Sequence, residues 1–250
     1  MSGPGERSRG EVSRRSHPRI KICGVTRPAD AVHAISAGAD WIGINFHPAS
    51  PRSIEPEVAA GIVAAIPSDR AVGVFVDRDP AEVIAIARFV GLSIVQLHGD
   101  EPPEHVLRIK SEGYRVVRAF RIADARGVVE IASFQLKARG LGAAADAVLV
   151  DAFVPGLAGG TGKTIPSEIL GLLPPSADIE SDLGDDRDLR PRLILAGGLN
   201  PGNVSRYIDR VRPWMVDVAG GVESAPGIKD HELIDSFIRA VRSEHRNDPS

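Results

Sequence analysis

A few side chains in this sequence have the types and spacing for acid–base and anion chemistry. Cys23 ends the apolar run Arg19–Cys23, and Lys21 lies two residues before it, on the same side of an extended strand. A thiol at a strand end can serve as base or nucleophile if its pKa is lowered, and a neighbouring ammonium favours the thiolate. The alternative for a lone cysteine is a small buried hydrophobe. Asp151 follows the apolar run Ala147–Val150 and precedes a glycine-rich stretch. A carboxyl there suits a general acid if desolvation raises its pKa, and otherwise a helix cap or turn. Arg52 carries the planar fork that clamps a carboxylate, or is a surface arginine. Two glycine pairs, Gly197-Gly198 and Gly220-Gly221, allow backbone N–H groups to approach an anion closely. His98 reads as a packed or hydrogen-bonded histidine rather than a ligand, and Asp77 equally as turn residue or participant.

The stretch GGTGKT, Gly159 to Thr164, raises the question of a nucleotide phosphate loop. That motif needs a glycine, four residues, then Gly-Lys-Ser/Thr. Gly162-Lys163-Thr164 would put the first glycine at position 157, which is Leu, and Pro155 and Pro166 bracket the stretch. A glycine-rich loop over another kind of site, including Gly160, fits better.

The elements that must position these groups alternate regularly. Apolar, β-branched runs at Arg19–Cys23, Trp41–Phe46, Ala71–Val76, Ile94–Leu97, Arg115–Phe120, Ala147–Val150, Arg192–Leu195 and Trp214–Val218 are strand candidates. Helical stripes at i, i+3, i+4, i+7 lie between or after them: Val83, Ile86, Ala87, Val90; Val204, Tyr207, Ile208, Val211; and Ile234, Phe237, Ile238, Val241. Asp79-Pro80 and Asn200-Pro201 place a capping side chain before a first-turn proline. Strands alternating with helices at roughly 25 to 30 residues predict a parallel sheet. In roughly 230 residues the fit is an α/β fold, a single (β/α)8 TIM barrel of the phosphate-binding type. A doubly wound sheet is the rival, but the first strand is followed by KICGVTRP, which lacks the three-glycine dinucleotide fingerprint. In such barrels the site lies at the carboxyl ends of the strands, where the residues singled out above fall, and phosphate is often held after strands seven and eight.

The barrel is expected over 19–245. Residues 1–18 read as a disordered tail with four arginines, and 246–250 as a flexible end. Residues 177–191 carry six acids and read as a surface insertion. The chain has 250 residues, a formal net charge of −3 and 43% hydrophobic residues, enough for a buried core and no reason to expect nucleic acid. No apolar run approaches the ~20 residues that span a bilayer, and no signal-peptide core is visible. Cys23 is the only cysteine, so an intrachain disulfide is impossible and a cytoplasmic setting is expected. No His/Cys/Asp grouping has metal-ligand spacing.

The ordered stretches KICGVTRPADA, GADWIGINFHPASPRSI, VGVFVD, VQLHGDE, VLVDAF, GGTGKT, LILAGGLNPGNV and VDVAGGVESAPGIKD resemble the phosphoribosylanthranilate isomerases of tryptophan biosynthesis, from about Ile20 to Val241. The resemblance implies a (β/α)8 barrel and an Amadori rearrangement of N-(5-phosphoribosyl)anthranilate to the 1-amino-1-deoxyketose. It implies no metal and no organic cofactor, and a small phosphorylated substrate as the partner, in a monomer or homodimer. It makes Cys23 the general base, Asp151 the general acid and Arg52, of the FxPxSxR pattern, the holder of the anthranilate carboxylate. Phosphate would lie around Gly197, Gly198, Gly220 and Gly221. GGTGKT then becomes a loop that closes over the substrate. Family members often have serines where this chain has Ala219-Gly220, which removes hydroxyl donors to phosphate and leaves backbone N–H groups that could suffice. Two rival readings are a ribulose-phosphate epimerase-like barrel, which would need a His/Asp metal set, and a non-enzymatic phosphometabolite-binding barrel, which has no need of both Cys23 and Asp151.

Overall fold

The computed structural model describes residues 17–152, 167–173, 176 and 191–243. Eight parallel strands close into a barrel in chain order. They are β1 (Arg19–Cys23), β2 (Trp41–Asn45), β3 (Ala71–Phe75), β4 (Ile94–Leu97), β5 (Arg115–Ile122), β6 (Ala147–Ala152), β7 (Leu193–Leu195) and β8 (Met215–Val218). Every strand candidate is present, with ends moved by a residue or two. Closure comes from β1 against β8, with Lys21 opposite Asp217 in the register and Ile22 opposite Val218. Between the strands lie α1 (Pro28–Ala37), α2 (Pro56–Ala64), α3 (Pro80–Val90), α4 (Pro103–Lys110), α5 (Ala125–Gly140), α6 (Ser167–Leu170) and α7 (Val204–Val211). After β8 come a short antiparallel hairpin, β9 (Glu223–Ala225) and β10 (Ile228–Lys229), and the last helix, α8 (His231–Arg242).

Strand alternation divides the apolar residues in two. One parity, including Ile20, Ile22, Ile42 and Ile44, joins the helices' buried stripes in the main core. The other fills the barrel interior at its amino-terminal end, where Trp41, Val72, Ile94, Val117, Ile194 and Met215 pack together with Trp214, which precedes β8. Trp41 and Trp214 meet edge to face with ring centroids 5.6 Å apart, and the Arg19 guanidinium covers Trp214 at 4.5 Å. Further along, the same inward parity turns polar: Lys21 and Cys23, Asn45, Gln96, Asp151 and Asp217.

The helical stripe of α8 is buried as the spacing predicts, at Ile234, Phe237, Ile238 and Val241. In α3 the buried set is Val83, Ile84, Ala87 and Val90, with Ile86 only partly covered. Asp79 caps α3, accepting from the Ala81 N–H at 2.7 Å. Asn200-Pro201 does not start α7, which begins at Val204. Asn200 Oδ1 instead accepts from the Gly202 N–H at 2.9 Å, and Asn203 Oδ1 accepts from the Asn200 N–H at 2.9 Å. These local bonds offer the backbone a turn in place of helix. The GGTGKT stretch with Gly160, most of the acidic segment, and nearly all of the tail lie outside the described residues.

Candidate active site

A cavity of about 320 Å³ opens at the carboxyl ends of the strands. Cys23, Arg52, His98 and Asp151 line it, together with Gly197, Gly198, Gly220 and Gly221. The sequence candidates, drawn from six strands or their following loops, thus converge on one place. Lys21 sits beneath Cys23 and is fully buried.

The base of the cavity is an ion pair with a thiol beside it. Lys21 Nζ donates to both carboxylate oxygens of Asp217, each at 3.1 Å. Burial works against the ammonium, yet Asp217 and the Cys23 sulfur outweigh it and raise the Lys21 pKa, so Lys21 stays charged. The Cys23 thiol is pushed up from its ordinary value, chiefly by burial, while the Lys21 ammonium pulls the other way. Lys21 acts on the thiol in the direction expected from the sequence, but its effect is smaller than the desolvation, so the condition of a lowered thiol pKa is not met. Room for this arrangement comes from Gly43 on the adjacent strand. A Cβ there would meet Cys23 Sγ at 2.7 Å and Lys21 Nζ at 3.1 Å.

Arg52 is held by a loop built around Ser50. The Ser50 hydroxyl accepts from Asn45 Nδ2 at 3.1 Å and from the Arg52 N–H at 3.2 Å. The guanidinium is engaged through Nε and Nη2 to the two oxygens of Glu223, at 2.8 and 2.7 Å. Lys229 Nζ, from β10, donates to the same Glu223 at 2.8 Å and to the Ala219 carbonyl at 3.0 Å. Burial opposes the Glu223 carboxylate, but Arg52 and Lys229 outweigh it and hold its pKa below the usual range. The bond to Glu223 raises that of Arg52.

The glycine pairs face one another. Gly197 and Gly198 have φ of +91° and +61°. A Cβ on Gly221 would meet the Leu199 carbonyl oxygen at 1.9 Å, so only glycine lets the loop after β8 lie against the loop after β7. Asn203 Nδ2 donates to the Gly198 carbonyl at 3.0 Å and ties the first loop to the start of α7.

Asp151 lies inside β6, half-buried, with His98 Nε2 at 3.6 Å from its Oδ2. The other ring nitrogen of His98 lies 3.0 Å from Gln96 Nε2. The two ring nitrogens of His98 face Gln96 and Asp151. His98 is thus both hydrogen-bonded and part of the cavity wall. Asp77 is a turn residue: its φ is +49°, its N–H donates to buried Glu101 at 2.9 Å, and it does not line the cavity. Among the described residues, no group of three or more His, Cys, Asp or Glu could hold a metal ion.

Asp217, Glu223, Lys229 and Gly43 were not singled out from the sequence. The available signal for Asp217 was a carboxylate inside the apolar run of β8 at the parity that faces Lys21. Glu223 and Lys229 fall in the hairpin after β8 and carry no local pattern.

A (β/α)8 barrel with a thiol, a carboxyl and an arginine around one cavity is the class that the fold and the site define. The family described as N-(5'phosphoribosyl)anthranilate (PRA) isomerase matches residues 20–240. An N-(5'-phosphoribosyl)anthranilate isomerase of Chlorobaculum parvum is 45% identical over 232 residues, 91% of this chain and 96% of its own length. One from Geobacter sulfurreducens is 42% identical over 225 residues, 90% and 98% of the two chains. The crystal structure of phosphoribosyl anthranilate isomerase from Thermotoga maritima superimposes with a TM-score of 0.74 at 36% identity, covering 90% of this chain and 98% of that one. The chain belongs to the PRA isomerase family.

Proposed function

We propose that this protein isomerises N-(5'-phosphoribosyl)anthranilate to 1-(o-carboxyphenylamino)-1-deoxyribulose 5-phosphate, a step of tryptophan biosynthesis. The observation that carries this is the convergence of Cys23, Asp151, Arg52 and both glycine pairs on one cavity in a chain of this family. A related phosphoribosyl anthranilate isomerase has been solved with the reduced form of that product, and it matches this chain with a TM-score of 0.70 at 35% identity.

The reaction needs a proton delivered to the furanose ring oxygen and another removed from C2′. In this reading Asp151 is the acid. It protonates the ring oxygen as the C1′–O bond breaks and the anthranilate nitrogen forms a Schiff base. Cys23, as thiolate, takes the C2′ proton, and the enolamine tautomerises to the ketone. β1 and β6 are separated by β7 and β8, so the two groups approach the substrate from different sides. A thiol with a raised pKa gives a scarcer but stronger base, and Lys21 supports its charged form. Arg52 takes the anthranilate carboxylate. The N–H groups of the two glycine loops take the phosphate, with no help from a hydroxyl at Ala219. His98 orients Asp151.

A cytoplasmic setting is favoured by the single free cysteine, and no described helix is long and apolar enough to cross a membrane. The assembly is a monomer or homodimer. The test is conversion of phosphoribosylanthranilate by purified wild type, Cys23→Ala and Asp151→Ala, with a chelator present. Turnover by the wild type alone is expected. A folded wild type without turnover overturns the assignment.

A further inference from the structure

Glu223 is a buried carboxylate paired with Arg52 in the wall of a cavity whose proposed substrate carries two anionic groups, which on charge grounds alone is the wrong sign. Its partners resolve this. Oε1 accepts from Arg52 Nε at 2.8 Å, Lys229 Nζ at 2.8 Å and the Gly227 N–H at 3.3 Å, and Oε2 from Arg52 Nη2 at 2.7 Å. Two basic side chains thus share one anion, and although burial lowers the Lys229 pKa, the Glu223 carboxylate opposes that shift. The pair occupies Nε and Nη2 of Arg52 and not Nη1. A planar guanidinium gripped along one edge has its other edge fixed in direction. Lys229 extends the grip: the same ammonium donates to the carbonyl of Ala219, the residue immediately before Gly220-Gly221.

The hairpin that carries both residues is itself anchored to the first loop of the barrel. Thr26 Oγ1 donates to the Gly227 carbonyl at 2.6 Å, Arg27 Nη2 to the Lys229 carbonyl at 3.3 Å, and the Lys229 N–H to Asp30 at 3.3 Å. Arg52 and the glycine loop therefore cannot shift relative to each other without breaking bonds to one rigid hairpin.

We propose that Glu223 and Lys229 are positioning residues that fix the distance between the carboxylate-holding Arg52 and the phosphate-holding loop after β8, and so gauge the length of the substrate. Neither is a catalytic residue; each acts through a neighbour. The proposal rests on the reading of Arg52 as the carboxylate holder, and the test separates the two.

Two inhibitors serve as probes: reduced 1-(o-carboxyphenylamino)-1-deoxyribulose 5-phosphate and its anilino counterpart lacking the carboxylate. Binding is measured by calorimetry. The wild type should prefer the carboxylated ligand, and Arg52→Ala should abolish that preference. Glu223→Gln should weaken the carboxylated ligand about tenfold, the scale of one charge-assisted hydrogen bond, and leave the anilino ligand unchanged. In turnover its loss should appear in KM rather than kcat. Lys229→Met should weaken both ligands by a similar factor, because the phosphate loop loses its tie. An Arg52→Ala variant that keeps the preference sinks the Arg52 reading. An Arg52→Ala variant that loses it, beside a Glu223→Gln variant that keeps or increases it, sinks the positioning role alone. If Glu223→Gln does not fold, Glu223→Asp, which retains charge at shorter reach, decides by the same comparison.

Discussion

The two ends of the barrel interior are built from the same strands at the same parity and obey opposite rules. At the amino-terminal end Trp41, Val72, Ile94 and Met215 fill the space with apolar volume, with Trp214, just before β8, packed against them. At the carboxyl end Lys21 and Asp217 pair in a region with almost no solvent access, where burial raises the Asp217 pKa and Lys21 opposes that rise. Removing charges from water costs several kcal/mol per ion, and their mutual attraction only partly offsets it. The first arrangement stabilises the fold. The second does so poorly, and what it supplies is a charge held beside a thiol. The contrast teaches that the mouth of this barrel is shaped by chemistry at some cost to stability, while the floor is shaped by packing.

That division can be broken or sharpened by substitution. The largest effect is expected at the mouth: Cys23→Ala and Asp151→Ala should each lower turnover by about 10²- to 10⁴-fold, with urea midpoints unchanged. Lys21→Met should be the variant that crosses the boundary. It leaves Asp217 buried without a counter-charge, at about 3–5 kcal/mol of stability, and turnover should fall as well. Pairing it with Asp217→Leu should restore much of the stability and none of the turnover. At the floor, Trp214→Ala should cost about 3–5 kcal/mol in denaturant unfolding, while kcat per folded molecule holds. A loss of kcat in that folded variant would show that the two ends are not independent.

The smallest effect is in pH. The base form of Cys23 is the thiolate, and burial raises the thiol pKa above its ordinary value. The thiolate fraction is therefore small at neutral pH, and kcat/KM should climb with pH through and beyond the usual thiol range. Lys21 opposes that rise, so its loss should move the limb to still higher pH in any Lys21→Met protein that folds. A plateau below neutrality in the wild type would contradict the direction.

All eight strands were legible because each is a short apolar run with local boundaries. The catalytic candidates were legible because they follow those runs, and their convergence is a consequence of barrel closure. What escaped was long-range pairing. Lys21 and Asp217 are 196 residues apart, and Arg52 and Glu223 are 171 apart. Periodicity within a window carries nothing about such partners. The start of α7 was misread for a different reason: Asn200-Pro201 has the composition of a helix cap, but the Asn200 side chain closes a turn on Gly202 instead. The net direction of the Cys23 shift was not legible, because a sequence shows a nearby lysine and not the desolvation around the sulfur.

The Lys21–Asp217 pair also has a meaning in time. Lys21 is made early and its counter-charge 196 residues later, which at ~5–20 residues per second is a delay of about 10 to 40 seconds on the ribosome. Until β8 emerges, the ammonium has no place in a closed interior and β1 has no β8 edge to pair with. The first strand must wait, solvated or in other hands, for the last. A chain cut short before Asp217 would have the proposed base and acid in its sequence and still lack the partner that lets Lys21 be buried beside Cys23, so synthesis of β8 is itself a condition for assembling the site.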